Sequence, residues 1–490
     1  MASSSPLILT LDIGTSSARS SLFDGEGHRL LRTTAQQTYP LISSNDGAAE
    51  LEPSTLLEAV LHCLETTFGH YRSDAKLRGR PIIGIGVSCF WHSMIGVDAA
   101  GKPLTRIITW ADARCREDAA ALREEFSEKT IHARTGCMLR ASFWPAKLAW
   151  LKRTQPKLFK RVRRWLSPAE WLQQTLAGEA NCAIGMATGT GLFNPSKINW
   201  DSALLDRFDV SRDQLLPLSD APSETGGRLA SQFPELRGVP WFPGIGDGAA
   251  SNLGSGATKP GLAAINVGTS AALRVMREGK EARAPFGLFC YRVDARRYLV
   301  GGAISNAGNL RAWCLRELRL DTGYALEEQL ALRPSPAHGL TVLPFWAAER
   351  APTWNEDLRG AILGINLHTN ALDLLQAITE ATYHRIAQIA ALVVKDEKAP
   401  PKFLVSGGIQ HSREAMQRLA DVLGHSVYAN PEPEASIRGA AVFVLEKLGR
   451  EIAKLELQRP IKCRQKIAAL YAEERKRQEK LEAFLTKAKL

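Results

Sequence analysis

The chain has 490 residues, more than one hydrophobic core serves, since single cores stop growing at roughly 250–300 residues, so two large domains are expected. Hydrophobic residues make up 45% and charged residues 23%, which excludes a disordered or fibrous protein. The formal net charge of +11 raises nucleic acid as a partner, but the basic residues form no stripe interleaved with aromatics.

From Ile461 onward nine Lys/Arg against four Glu give +5, so one short tail with a mixed EERKRQEK run supplies much of the excess and reads as a solvated helix. The N-terminal MASSSPLILTLDIG has neither a cationic region nor a cleavage-type site, and no apolar run reaches membrane-spanning length, so a cytoplasmic protein is expected. Eight cysteines are scattered without CxxC spacing and read as reduced thiols.

In chain order, ILTLDIGTSSARSSLF predicts a strand, a tight Gly-Thr-Ser turn and a second strand, and Asp24-Gly25-Glu26-Gly27 turns the chain toward a third. A helix near 54–68 precedes the apolar strand IIGIGVS at 82–88, and helical periodicity dominates 113–178, punctuated by Pro145, Pro156 and Pro168. Loops rich in Pro, Ser and Gly fill 217–246 and place a domain boundary there. The segment LAAINVGTSAALRVM from Leu262 then echoes the first hairpin. A strand at 298–303, a helix over 371–394, a strand at 402–408 and helices at 413–423 and 436–448 complete the second half. Two copies of one hairpin among mixed strands and helices predict an α/β fold of two related domains.

No GxxxxGK[ST] loop occurs. Instead Gly14, Thr15 and Ser16 in one turn, and Gly268, Thr269 and Ser270 in the other, offer backbone N–H groups and hydroxyls able to grip phosphate oxygens from two sides. A single such turn is usually only a turn; the matched pair points to a ligand. Asp12 on its apolar strand reads either as a magnesium-site carboxylate or as a turn starter. Asp247, among glycines and alanines in GIGDGAA, reads either as a base that accepts a hydroxyl proton or as a helix N-cap.

With DIGTSS, NVGTS, VSGGIQHSREAMQRLADVLG, LPFWAAERAPTWNEDLRGAILGI and LLQAITEATYHRI in place, the chain from Leu7 to Gly449 resembles the FGGY family of carbohydrate kinases. The resemblance implies two actin-like, ribonuclease-H-like domains with a ligand cleft between them. Residues 1–246 would carry the sugar-binding side and the first phosphate turn, 247–450 the ATP side, and 451–490 a basic helical extension. It further implies ATP and Mg2+, Asp247 as catalytic base, Asp12 at the magnesium site, and Gly407 and Gly408 beside adenine and ribose.

Within the family, SCFWHSMIGVD, ITWADAR, RTGCMLRAS and DGAASNLGSGA are most similar to gluconokinases, which implies D-gluconate as the acceptor. On that resemblance His92, Ser93, Trp110 and Asp112 would line the sugar wall. Arg140 would either bind the acceptor carboxylate or make a surface ion pair. Expected partners are a small sugar or sugar acid, neither nucleic acid nor membrane; a homodimer is compatible with this reading. The nearest alternative is a kinase of the same family acting on xylulose or another polyol; outside the sugar kinases, a non-catalytic nucleotide-binding regulator of actin-like fold is the competing class.

Overall fold

The computed structural model describes residues 5–395, 397 and 399–488, so the first four and last two residues lie outside the described chain. The wholly buried run Leu7–Ile13 (β1) pairs antiparallel with Ser17–Asp24 (β2), which pairs with Ala35–Thr38 (β3). After the helix Pro53–Ser73 (α1) the chain returns as Ile82–Cys89 (β4), parallel to β1, because a parallel return needs a crossover. Alternation along β2 serves both faces of the sheet. Ser20 donates to the Cys63 carbonyl of α1 at 2.8 Å, while Arg19 beside it reaches Glu434.

Segment 217–246, read from its composition as loop, instead contributes short strands at Ser223–Glu224, Pro240–Trp241 and Ile245–Gly246 (β5) to this sheet. The three prolines of the helical region start helices rather than break them, with Pro145, Pro156 and Pro168 each in a first turn where no N–H is needed.

The second sheet repeats the first. After the helix Asp247–Gly254 (α2), Leu262–Val267 (β6) and Ala271–Glu278 (β7) form the second hairpin; Phe289–Arg292 (β8) and Arg297–Ile304 (β9) extend it, the latter paired to β7. The helix Ala371–Val394 (α3) leads to Lys402–Ser406 (β10), parallel to β6 as β4 is to β1, and beyond Arg413–Leu423 (α4) lies the edge strand Val427–Ala429 (β11). Each domain thus presents one Gly-Thr-Ser turn at the same end of the same hairpin.

The halves are stitched together by the helix Ala435–Lys447 (α5). It leaves the second sheet and packs on β1 and β4, so that Ile437, Ala441 and Val442–Leu445 belong to the first core. α5 crosses α2 with backbones nearly touching: a Cβ at Gly439 would sit 1.7 Å from the Ala250 carbonyl oxygen, and one at Gly254 1.8 Å from that of Ala435. The last helix, Gln465–Ala488 (α6), departs from the solvated helix its charges predict. Tyr471, Glu474, Gln478 and Glu482 form a buried stripe, because polar atoms of the second domain meet them. Among the described residues no helix is long and apolar enough to cross a membrane.

Candidate active site

Between the two sheets lies a cavity of about 310 Å³ whose walls come from both halves. Asp247 stands in it as the first residue of α2, delivered there by β5 against β4. Its Oδ1 accepts the Gly248 N–H at 2.7 Å, so it serves the helix start although Gly246 holds the N-cap position. Asp247 is solvent-exposed toward the cavity, and the protein packed around the rest of the group raises its pKa by desolvation. The nearby Arg274 and Arg350 cations oppose the rise, whereas the Asp12 carboxylate adds to it. Gly246 is required by packing, since a Cβ there would lie 1.8 Å from the Trp91 ring.

Both turns reach the cavity, through Thr15 and Ser270. The first is closed by Gly14 N–H donating to Ser17 O at 2.9 Å and braced by the Tyr39 hydroxyl on the Gly14 carbonyl at 2.6 Å; Ser16 points to solvent. The second is closed by Gly268 N–H to Ser270 O at 2.9 Å, and its Gly268 and Thr269 carbonyls accept the N–H groups of Gly308 and Asn309. Gly407 abuts this turn with φ of +93°, and a Cβ there would be 2.4 Å from the Val267 carbonyl; Gly408 follows in open space.

Asp12 is buried at the end of β1, below the first turn, where it accepts the Ser436 hydroxyl at 2.8 Å and has Arg19 at 3.8 Å. Its counterpart in the second hairpin is Asn266, whose amide donates to Ser406 Oγ at 3.0 Å. Only the first turn is therefore anionic. The Asp12 carboxylate is the kind of hard oxygen donor a magnesium ion takes when phosphates and water supply the rest, so the residue present fits that ion.

Of the residues proposed for the sugar wall, His92 and Trp110 line the cavity. His92 has a left-handed backbone (φ 66°), and its Nδ1 donates to the Gly189 carbonyl at 2.5 Å. Burial pushes its pKa down to about 3, so the ring is neutral and Nε2 is an acceptor. The rings of Phe143 and Tyr291 hold it edge-on, and the buried ammonium of Lys147 fixes the backbone by donating to the His92 and Ser142 carbonyls at 2.7 and 2.8 Å. Trp110 donates from Nε1 to Thr15 Oγ1 at 2.9 Å, tying the sugar wall to the phosphate turn.

Ser93, Asp112 and Arg140 lie elsewhere. The Ser93 hydroxyl accepts the Trp110 N–H at 3.1 Å behind the wall, and Asp112 is 1% exposed and engaged by Arg114 and the Ala49 N–H. Arg140 is outside the cavity lining, paired with Glu128 at 3.0 Å.

The cations in the cavity are two arginines that the sequence reading did not single out. Arg274, on β7, lies over Gly248, whose Cβ would be 2.7 Å from its Nε; that Nε is buried and has no hydrogen-bond partner among the described residues. Arg350 donates to Ser305 Oγ and the Ile304 carbonyl, both at 3.1 Å, and its guanidinium lies over the Trp110 ring.

Residues 7–254 match the N-terminal domain and residues 263–445 the C-terminal domain of the FGGY family of carbohydrate kinases. The chain belongs to this family. FGGY kinases are phosphotransferases that use ATP as phosphate donor. The gluconokinase of Bacillus subtilis (strain 168) is 27% identical over 458 residues, covering 90% of this chain and 88% of that one. Among solved structures, a gluconate kinase and a xylulose kinase, both from Lactobacillus acidophilus, each superpose with a TM-score of 0.89 over 98% of both chains, at 25% and 24% identity. The fold is the duplicated actin-like, ribonuclease-H-like arrangement of these FGGY kinases.

Proposed function

We propose that this FGGY kinase transfers the γ-phosphoryl group of ATP to the terminal hydroxyl of a sugar acid, D-gluconate, giving 6-phosphogluconate and ADP in the cytoplasm. The observation that carries the acid is the pair Arg274 and Arg350 facing the same cavity as Asp247, with the Arg274 Nε free to donate. A neutral sugar offers that cation only hydroxyl or carbonyl acceptors beside the Asp247 carboxylate it already faces, whereas an acceptor carboxylate supplies a stronger, charge-assisted hydrogen bond.

In this reading the acceptor hydroxyl attacks γ-phosphorus, the bond from γ-phosphorus to the bridging oxygen breaks, ADP leaves, and the hydroxyl proton passes to Asp247. The raised pKa of Asp247 makes it a better proton acceptor than an exposed carboxylate. Neutral His92 accepts from a sugar hydroxyl through Nε2, Trp110 forms a flat wall, and the two Gly-Thr-Ser turns donate to phosphate oxygens, with Gly407 and Gly408 leaving space for the nucleoside. Asp12 would hold magnesium, which neutralises phosphate charge when bound.

Acceptor-dependent ADP release with D-gluconate, D-xylulose and glycerol offered in parallel tests the assignment. Gluconate is expected to exceed the neutral acceptors by about 100-fold in kcat/KM, the scale set by leaving a buried polar group unpaired. Preference for xylulose or glycerol overturns the acceptor and keeps the kinase.

A further inference from the structure

Helix α6 lies beyond residue 445, where the match to the family's C-terminal domain ends, yet its buried stripe runs behind the cavity. Glu482 is 7% exposed and accepts the Thr353 hydroxyl at 2.7 Å and an Arg385 N–H at 2.5 Å. Arg385, 1% exposed, also donates to Thr353 Oγ1 at 3.1 Å and has Glu349 at 3.6 Å. Within this network Glu349 immediately precedes Arg350 and Thr353 immediately precedes Trp354, the two residues of the stretch that line the cavity. Four residues later on the same face of α6, the Thr486 hydroxyl oxygen accepts the Asn355 amide at 3.1 Å, so the helix also meets the chain just beyond Trp354.

We propose that α6 is a positioning element for the active site, in which Glu482, through Thr353 and Arg385, fixes the segment that presents Arg350 and Trp354 to the acceptor. A polar tie suits this task better than an apolar one. A buried ion pair adds little net stability but admits few alternative geometries, so it selects one placement of the backbone. The front of the segment is held by the Arg350 side chain on Ser305 and the Ile304 carbonyl, and α6 supplies the hold from behind. Glu482 touches no reacting atom, and its effect passes through its neighbours.

The inference rests on the cavity being the acceptor site, and its test uses whichever acceptor the wild-type enzyme turns over best, so that a failed gluconate assignment leaves it standing. Steady-state kinetics of Glu482→Ala and Thr353→Val are compared with Glu479→Ala, an exposed position on the same helix. The first two are expected to raise KM for the acceptor by about 10-fold or more while KM for ATP changes less than about twofold. Glu479→Ala is expected to change neither. Glu482→Gln keeps an acceptor for Thr353 and is expected to recover part of the loss. Should Glu482→Ala not fold, Thr353→Val, which removes one hydroxyl and no charge, carries the test alone. An unchanged acceptor KM in folded Thr353→Val, or equal rises in both KM values, overturns the proposal.

Discussion

Asp247 is one carboxylate whose surroundings set two opposing demands. Desolvation by the surrounding walls and the Asp12 charge favour its protonated form; Arg274 and Arg350 favour the ionised form that can accept a proton. Asp247→Asn keeps the shape and removes the acceptor, so kcat is expected to fall by about 10²–10⁴-fold while ATP affinity, read by nucleotide titration, stays within about twofold. The acid limb of kcat/KM should lie above the ordinary carboxylate range. Arg274→Met removes a cation that lowers the Asp247 pKa, so the limb moves to higher pH, and KM for a carboxylate-bearing acceptor rises by about 10–100-fold. A pH–rate profile of the variant reads both effects.

These arginines also show where residue-scale reading stopped. Arg140 is marked by the gluconokinase-like segment RTGCMLRAS, but more than half of the cavity lining comes from residues 266–354, distant from it in sequence. The signal that singled out Asp12, a charge on an otherwise apolar strand beside a Gly-Thr-Ser turn, is repeated by Arg274 in AALRVM and marks it equally well. Ser93 and Asp112 belong to the segments SCFWHSMIGVD and ITWADAR, whose resemblance to gluconokinases marks a sugar wall. Both lie in non-strand segments, where no periodicity tells which way a side chain points, and these two support the wall from behind.

At the scale of elements, both hairpins, the parallel returns and the helices over 371–394 and 413–423 were legible because each joins a strong periodic pattern to a clear turn or cap. α6 was misjudged for a physical reason. Its buried face is made of Glu474, Gln478 and Glu482, whose partners are other polar groups, and hydropathy cannot distinguish a satisfied carboxylate from a solvated one. The crossing of α2 and α5 is where an element holds the chemistry in place, since α2 begins at Asp247. Gly439→Val inserts a branched side chain where even a Cβ has no room. It is expected to destabilise the fold by about 1–3 kcal/mol or more, seen as a lower thermal midpoint, and to depress kcat in the protein that remains folded. Gly408→Ala, in open space, should leave the thermal midpoint within about 1 °C.

For the molecule as a whole, the two cores are not built from two consecutive stretches of chain. The first is completed by Ile437, Ala441 and Val442–Leu445, nearly two hundred residues after α2 ends. A fragment ending at residue 256 therefore lacks the helix that covers β1 and β4. It is expected to bind a hydrophobic dye and to melt without a cooperative transition, and a fragment covering 257–488 added in trans should restore both behaviours; a sharply melting, dye-free N-terminal fragment would contradict this. The same stitch has a consequence during synthesis. At roughly 5–20 residues per second, the N-terminal half waits on the order of 10–40 s after leaving the ribosome before its covering helix emerges. Throughout that interval the face over Gly84 and Gly86, which this helix later covers, is expected to be open to other apolar chains, so the nascent protein is expected to engage holding chaperones until the helix is made.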